Sequence, residues 1–208
     1  RGEFVTKNGR QEWDGDSGHG THVAGTVAAV NNNGKGVAGV AGGSGNGDGV
    51  RIMSIQIFDG TDNSGLANNA KGIEYAADMG ASVLQNSWGY PTDPAQMSDS
   101  VYEQYYGVEH AALKYFQGKN NCPAMKGGVV IFAAGNDARA SASYPGAFNQ
   151  FLSVTAYGPD GLPTSYTNYD LGCNVSAPGG DFAYEGADYK YDGCVLSTLP
   201  KETIDSFT

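Results

Sequence analysis

Gly128-Val129-Val130-Ile131-Phe132-Ala133-Ala134 is an unbroken apolar run that stops at Gly135 and Asn136. A strand with one wet face would alternate polar and apolar residues, whereas a continuous run of this length marks a strand covered on both faces. Phe151 to Ala156 is another such run, and Ser82 to Asn86 and Val50 to Phe58 (VRIMSIQIF) also read as strands. Helical periodicity fills the intervals. Leu66, Ala70, Ile73 and Ala77 share one face of a helix expected from Leu66 to Met79, with Gly80 as its stop. A longer helix is expected to start near Ser98, with Val101, Tyr105, Val108, Ala112 and Tyr115 at helical spacing. Doubly covered strands separated by helices build a parallel sheet with helices on both sides. The fold class predicted is therefore α/β, a three-layer α/β/α arrangement around a mostly parallel sheet. No linker, charge block or repeat divides the chain, so residues 1–208 are expected to be one domain.

Composition narrows the function. The 208 residues carry a formal charge of −10 with no compensating basic cluster, which argues against nucleic acid and anionic membranes as partners. No apolar run approaches the length needed to span a bilayer as a helix. The 32 glycines signal many tight turns and close backbone approaches. Three cysteines, Cys122, Cys173 and Cys194, cannot all pair internally, and none has the spacing of a zinc knuckle. Cys173 and Cys194 each open an apolar stretch, which makes a disulfide between neighbouring strands one reading of them.

Catalytic groups in such sheets collect at the carboxyl ends of strands and at adjoining helix starts. Three segments put unusual residues there. In Asp16-Ser17-Gly18-His19-Gly20-Thr21-His22-Val23-Ala24-Gly25, Val23, Val27 and Val30 recur at helical spacing beside small residues, and His19 falls on the first turn. Taken alone, a histidine at a helix start such as His19 is structural more often than catalytic. His19 and His22 could share a metal, but no third ligand accompanies them at a recognisable spacing. Leu84-Gln85-Asn86-Ser87-Trp88-Gly89 is a strand running into a turn, and Phe132-Ala133-Ala134-Gly135-Asn136-Asp137 is another.

The string HGTHVAG closely resembles the histidine signature of the subtilisin-like serine proteases, the subtilases, and AAGN resembles their oxyanion segment. Shorter agreements follow in order along the chain: Asn63-Ser64-Gly65, Ser143-Tyr144-Pro145-Gly146, Ser165-Tyr166-Thr167-Asn168, Ala177-Pro178-Gly179 and Ser197-Thr198-Leu199-Pro200. The resemblance implies that His19 is the general base and that the Asn136 side chain donates to the developing oxyanion. It further implies that Ser87, Trp88 and Gly89 form one wall of the substrate site and Ala133, Ala134 and Gly135 the other. Ser64 and Gly65 would pair with an extended peptide as an added strand. Trp88 is bulkier than the leucine common at its place in the family.

Two family elements have no counterpart. Only 18 residues precede His19, and none of them forms an apolar strand ending in the triad aspartate; Asp14 and Asp16 lie too close to the helix to be assigned that role. The Gly-Thr-Ser-Met-Ala string that carries the serine is absent too. The expectation is a central fragment of a secreted or cell-envelope endopeptidase, inactive by itself. By the family's strand order, the sheet would lack a central strand between the Val50 and Ser82 strands, and its open edges would favour a strand-swapped oligomer. Val30 to Val37 resembles the family's calcium loop, with Asn32 as side-chain ligand, but an Asn-rich surface turn fits as well and no cofactor is assigned. A non-catalytic module that binds extended peptides shares every motif present, and a metal-dependent hydrolase using His19 and His22 is the remaining alternative.

Overall fold

The run Gly128–Ala134 is indeed a strand of a parallel sheet. In the computed structural model, which describes residues 3–7, 10–14, 18–59, 62–63, 65–90, 97–184 and 193–200, it becomes β6 (Val129–Ala133). Its neighbours are β5 (Val83–Asn86), β7 (Leu152–Tyr157) and β8 (Val175–Pro178), in the order β5-β6-β7-β8 with every pair parallel. The described residues fall into two compact units, one within Arg1–Gly65 and Leu196–Thr208, the other within Leu66–Val195. The sheet belongs to the second, together with α2 (Leu66–Asp78), α3 (Asp99–Tyr105) and α4 (Gly107–Gln117). A parallel sheet with intervening helices is the α/β class that the apolar runs predicted.

In this unit α2 presents Ala70, Ile73, Ala76 and Ala77 to the core, close to the predicted face. The segment after Ser98 departs from expectation in two ways. It is two helices, because Tyr106 leaves helical geometry (φ −118°, ψ 23°) and Gly107 follows it, a residue that weakens a helix interior by about 1 kcal/mol. Its buried face is also different. Tyr105 and Val108, expected inside, are 68% and 63% exposed, while Tyr102, Glu109, Leu113 and Phe116 are fully buried. The face that is buried contains Glu109, a residue type rarely found inside, so apolar spacing pointed to the other face. Phe116 lies where β6 begins: a Cβ on Gly128 would come within 2.6 Å of its ring, so only glycine lets the strand start there.

The first unit holds a hairpin of β1 (Glu3–Lys7) and β2 (Arg10–Asp14), α1 (His19–Ala28), and a short pairing of β3 (Phe58–Asp59) with β4 (Asp62–Asn63). Asp14 therefore ends a strand opposite Glu3, not a turn, and Asp16 lies outside the described residues. After α1 the chain folds back on itself: Gly39 donates to Ala29 O at 2.9 Å and Ala41 to Val27 O at 2.8 Å. The strand expected from Val50 to Phe58 does not form. Arg51 to Ile57 is in no ladder, and Val50 and Ile52 are each half exposed. Apolar β-formers make a strand only in a ladder with another strand, and no described strand pairs with Arg51 to Ile57. No described helix is long and apolar enough to cross a membrane.

Urea unfolding should separate the two faces of α4. Phe116→Ala is expected to lower stability by about 3–5 kcal/mol through the cavity it leaves. Val108→Ala, on the exposed face, should stay within about 0.5 kcal/mol.

Candidate active site

Ser87-Trp88-Gly89 leaves the carboxyl end of β5, and Ala134-Gly135-Asn136 leaves the carboxyl end of β6, its neighbour in register Asn86↔Phe132. Parallel pairing alone thus brings the two predicted substrate walls side by side. A third segment ties them. Tyr90 N donates to Tyr144 O at 2.6 Å, and Ser143 N donates to Ala134 O at 2.7 Å, so Ser143-Tyr144 bridges the turn after β5 to the turn after β6. A Cβ on Gly89 would stand 3.1 Å from Tyr144 O, which accounts for the small residue at the closest approach.

The first wall is fixed from beneath. Asn86 is buried; its Nδ2 donates to Ile131 O at 3.1 Å, and its Oδ1 accepts from Trp88 Nε1 at 3.2 Å. The indole meets Phe132 edge-on at 5.3 Å and Tyr90 at 5.8 Å. Most of Trp88 is thereby absorbed into packing.

The second wall depends on Asn168, a residue whose importance sequence reading missed although its string was noticed. Asn168 is 1% exposed, and its side chain works in both directions. Oδ1 accepts from Asp137 N at 2.9 Å and Arg139 N at 3.3 Å, while Nδ2 donates to Ala134 O at 3.1 Å and Ser143 Oγ at 3.3 Å. Its backbone N donates to Gly135 O at 3.1 Å. Gly135 has φ +118°, and a Cβ there would collide with the Asn168 amide. The result is a turn with its backbone polar groups engaged and the Asn136 side chain left exposed at its tip. Asp181 supports Asn168's own segment by accepting from Ser165 N at 2.6 Å and Ser165 Oγ at 2.8 Å. Those hydrogen bonds, with one from Ala183 N, hold the Asp181 carboxyl below its ordinary pKa.

In the first unit, His19 is the first residue of α1 and exposed, following Gly18 in the left-handed region at φ 76°. His22 N closes the turn onto Gly18 O at 2.9 Å. Small residues on α1 permit a close approach: Gly25 packs on Ser197 and Thr198, whose hydroxyls donate to His22 O at 2.6 Å and Thr21 O at 2.8 Å. Gly65 is an exposed residue at φ +84° just before α2, and Ser64 lies outside the described residues.

The loop that resembles a calcium site is closed by its own hydrogen bonds. Asn32 adopts φ 57° and its Nδ2 donates to Ser44 O at 2.9 Å, while Asp48 Oδ1 accepts from Ser44 N at 2.7 Å and Ser44 Oγ at 3.1 Å. The loop's polar groups are turned onto its own backbone. Among the described residues no three His, Cys, Asp or Glu side chains gather to hold a metal. The disulfide reading is corrected as well: Cys122, Cys173 and Cys194 are free. Cys173 precedes β8 while Cys194 pairs with Gly180 beyond its other end. The intervening strand, roughly 3.3 Å per residue, separates them by more than the roughly 7 Å that a disulfide spans.

Comparison with known proteins agrees with this geometry. The sequence profile of the subtilase family matches residues 2–207. Subtilisin Savinase of Lederbergia lenta is 29% identical over 175 residues, covering 83% of this chain and 55% of the relative. Thermitase of Thermoactinomyces vulgaris is 30% identical over 163 residues, covering 78% and 50%. Among solved structures, a protease of Pseudoalteromonas arctica PAMC 21717 superposes with a TM-score of 0.62 at 28% identity, over 95% of this chain and 56% of that one. The chain thus spans about half the length of these relatives.

Hydrogen exchange should expose the role of Asn168. Asn168→Ala removes the acceptor for the Asp137 and Arg139 amides, which are expected to lose protection as stability falls by about 1–3 kcal/mol. Asn168→Asp keeps an acceptor and should preserve protection at those two amides while forfeiting the bond to Ala134 O.

Proposed function

The chain belongs to the subtilase family, and from that premise we propose that it supplies the general base and the oxyanion side of a secreted serine endopeptidase acting on protein substrates. In this reading residues 1–208 are part of one peptidase domain. His19 takes the proton of a serine hydroxyl as it attacks the scissile carbonyl, then returns it to the leaving amine. Asn136 donates to the oxygen that gains charge in the tetrahedral intermediate. Ser87 to Gly89, Ala133 to Gly135, and the Ser64-Gly65 stretch hold the substrate in extended form.

One observation carries the proposal: Asn136 stands exposed on a turn that Asn168 immobilises and that Ser143-Tyr144 ties to the neighbouring wall. An oxyanion donor is effective because it is aimed before charge develops, so that no reorganisation is needed at the moment of reaction. A freely moving asparagine would forfeit that advantage. The buried Asn168 clamp therefore gives Asn136 the preorganisation the chemistry requires.

The 208-residue polypeptide has no Gly-Thr-Ser-Met-Ala string. A base without a nucleophile or an orienting carboxylate cannot form an acyl-enzyme. The polypeptide alone is expected to resist labelling by a fluorophosphonate, and stoichiometric labelling would overturn this. In the protease that carries the chain, Asn136→Leu should lower kcat by about 10²–10³ with little change in KM, the magnitude established for this donor in subtilisin itself. His19→Ala should be at least as damaging. Unchanged kcat for Asn136→Leu would remove the oxyanion role.

A further inference from the structure

Glu109 is an unusual carboxylate. It is 0% exposed, on the inner face of α4, and among the described residues no cation is one of its hydrogen-bond partners. What surrounds it are neutral donors: Tyr90 Oη to Oε2 at 2.8 Å, Tyr102 Oη to Oε1 at 2.8 Å, and Asn69 Nδ2 to Oε2 at 3.5 Å. These come from α2, from α3 and from the segment following β5, so one side chain joins three elements. A buried carboxylate costs stability unless its oxygens are satisfied, and an apolar residue here would avoid that cost. The arrangement therefore has to be read from what it holds.

What it holds is Tyr90. Its backbone N makes the 2.6 Å bond to Tyr144 O that joins the two walls, and it follows Ser87-Trp88-Gly89 directly. Its ring lies 4.6 Å from that of Tyr106, which stacks on Tyr102 at 5.4 Å, and Tyr102 meets Tyr144 at 5.3 Å. Tyr144 in turn donates to Asp99 Oδ1 at 2.7 Å. Four tyrosines thus lie behind the wall, and a single carboxylate fixes two of their hydroxyls.

We propose that Glu109 is a positioning residue for the substrate-binding wall, acting through Tyr90 to hold Ser87-Trp88-Gly89 in register with Tyr144. The inference rests on the reading that this segment binds substrate. Burial pushes the Glu109 carboxyl above its ordinary range, with the three donors opposing. The other titratable groups nearby are Tyr90, Tyr102 and Tyr106; His110, whose Nδ1 is 3.8 Å from Glu103; Lys114 on the same helix; and Asp99 beyond Tyr144. Protonation of Glu109 removes the negative charge on which the two tyrosine hydroxyls converge.

Trp88 reports on the wall by its contact with Tyr90, and Trp13 is the only other tryptophan. In a Trp13→Phe background, the emission of Trp88 should show a pH step with its midpoint above the ordinary glutamate value of about 4.3. That step should vanish in Glu109→Gln and in Tyr90→Phe, the second of which removes only the hydroxyl that links wall to carboxylate. The Tyr90 amide should exchange about tenfold faster in Tyr90→Phe, with the Phe132 amide unchanged. No step in the parent, or a step persisting in Tyr90→Phe, overturns the proposal, and Tyr90→Phe keeps the test decisive should Glu109→Gln fail to fold. Because emission is read without substrate, the two tests fail separately: unchanged kcat in Asn136→Leu removes the oxyanion role alone, whereas a missing step overturns the positioning role of Glu109.

Discussion

A backbone that leaves a parallel sheet abandons its ladder partners, and each N–H and C=O it exposes must be satisfied some other way. At the carboxyl end of β6 that demand falls on the Asn168 amide, a group that both accepts and donates from one planar head. With Oδ1 it takes up Asp137 N and Arg139 N, and with Nδ2 it reaches Ala134 O and Ser143 Oγ. Serine could not span these groups, and aspartate could only accept. The rest of the site inherits its geometry from this clamp. Gly135 adopts its positive φ against it, Ser143 is held for the bridge to β5, and Asn136 is left as the outward residue of a rigid turn.

The sheet was legible because its strands obey a one-dimensional rule, that a short run rich in apolar β-formers and bounded by turn residues is a strand. That rule located β5, β6 and β7 to within a residue or two. The Val50 run obeys the same rule and forms no strand, because pairing is a property of two segments and only one is visible in a run. Helix faces were legible where the apolar pattern was unambiguous, as on α2. They were misread on α4, where a carboxylate sits inside and a valine and a tyrosine sit outside. Position-by-position hydrophobicity cannot foresee two phenols arriving from elsewhere to satisfy Glu109.

The candidate residues were legible for a different reason. The strings around His19 and Asn136 are long and specific, so resemblance could assign roles that spacing alone left open. The residues that hold the two turns were invisible because their contacts are far apart in the chain. Asn168 lies thirty-odd positions from the turn it clamps, and Glu109 is nineteen from Tyr90. Local strings record which atoms take part in chemistry; the supporting contacts are written only in three dimensions.

The stretch from Val50 to Ile57 has a consequence of its own. It combines four aliphatic β-formers with a single charge and no proline or glycine, and it stands outside every ladder. Segments of that composition stack on their own copies as cross-β, with identical side chains interlocking between sheets. The arginine at position 51 is the sole gatekeeper against fibrils along the run.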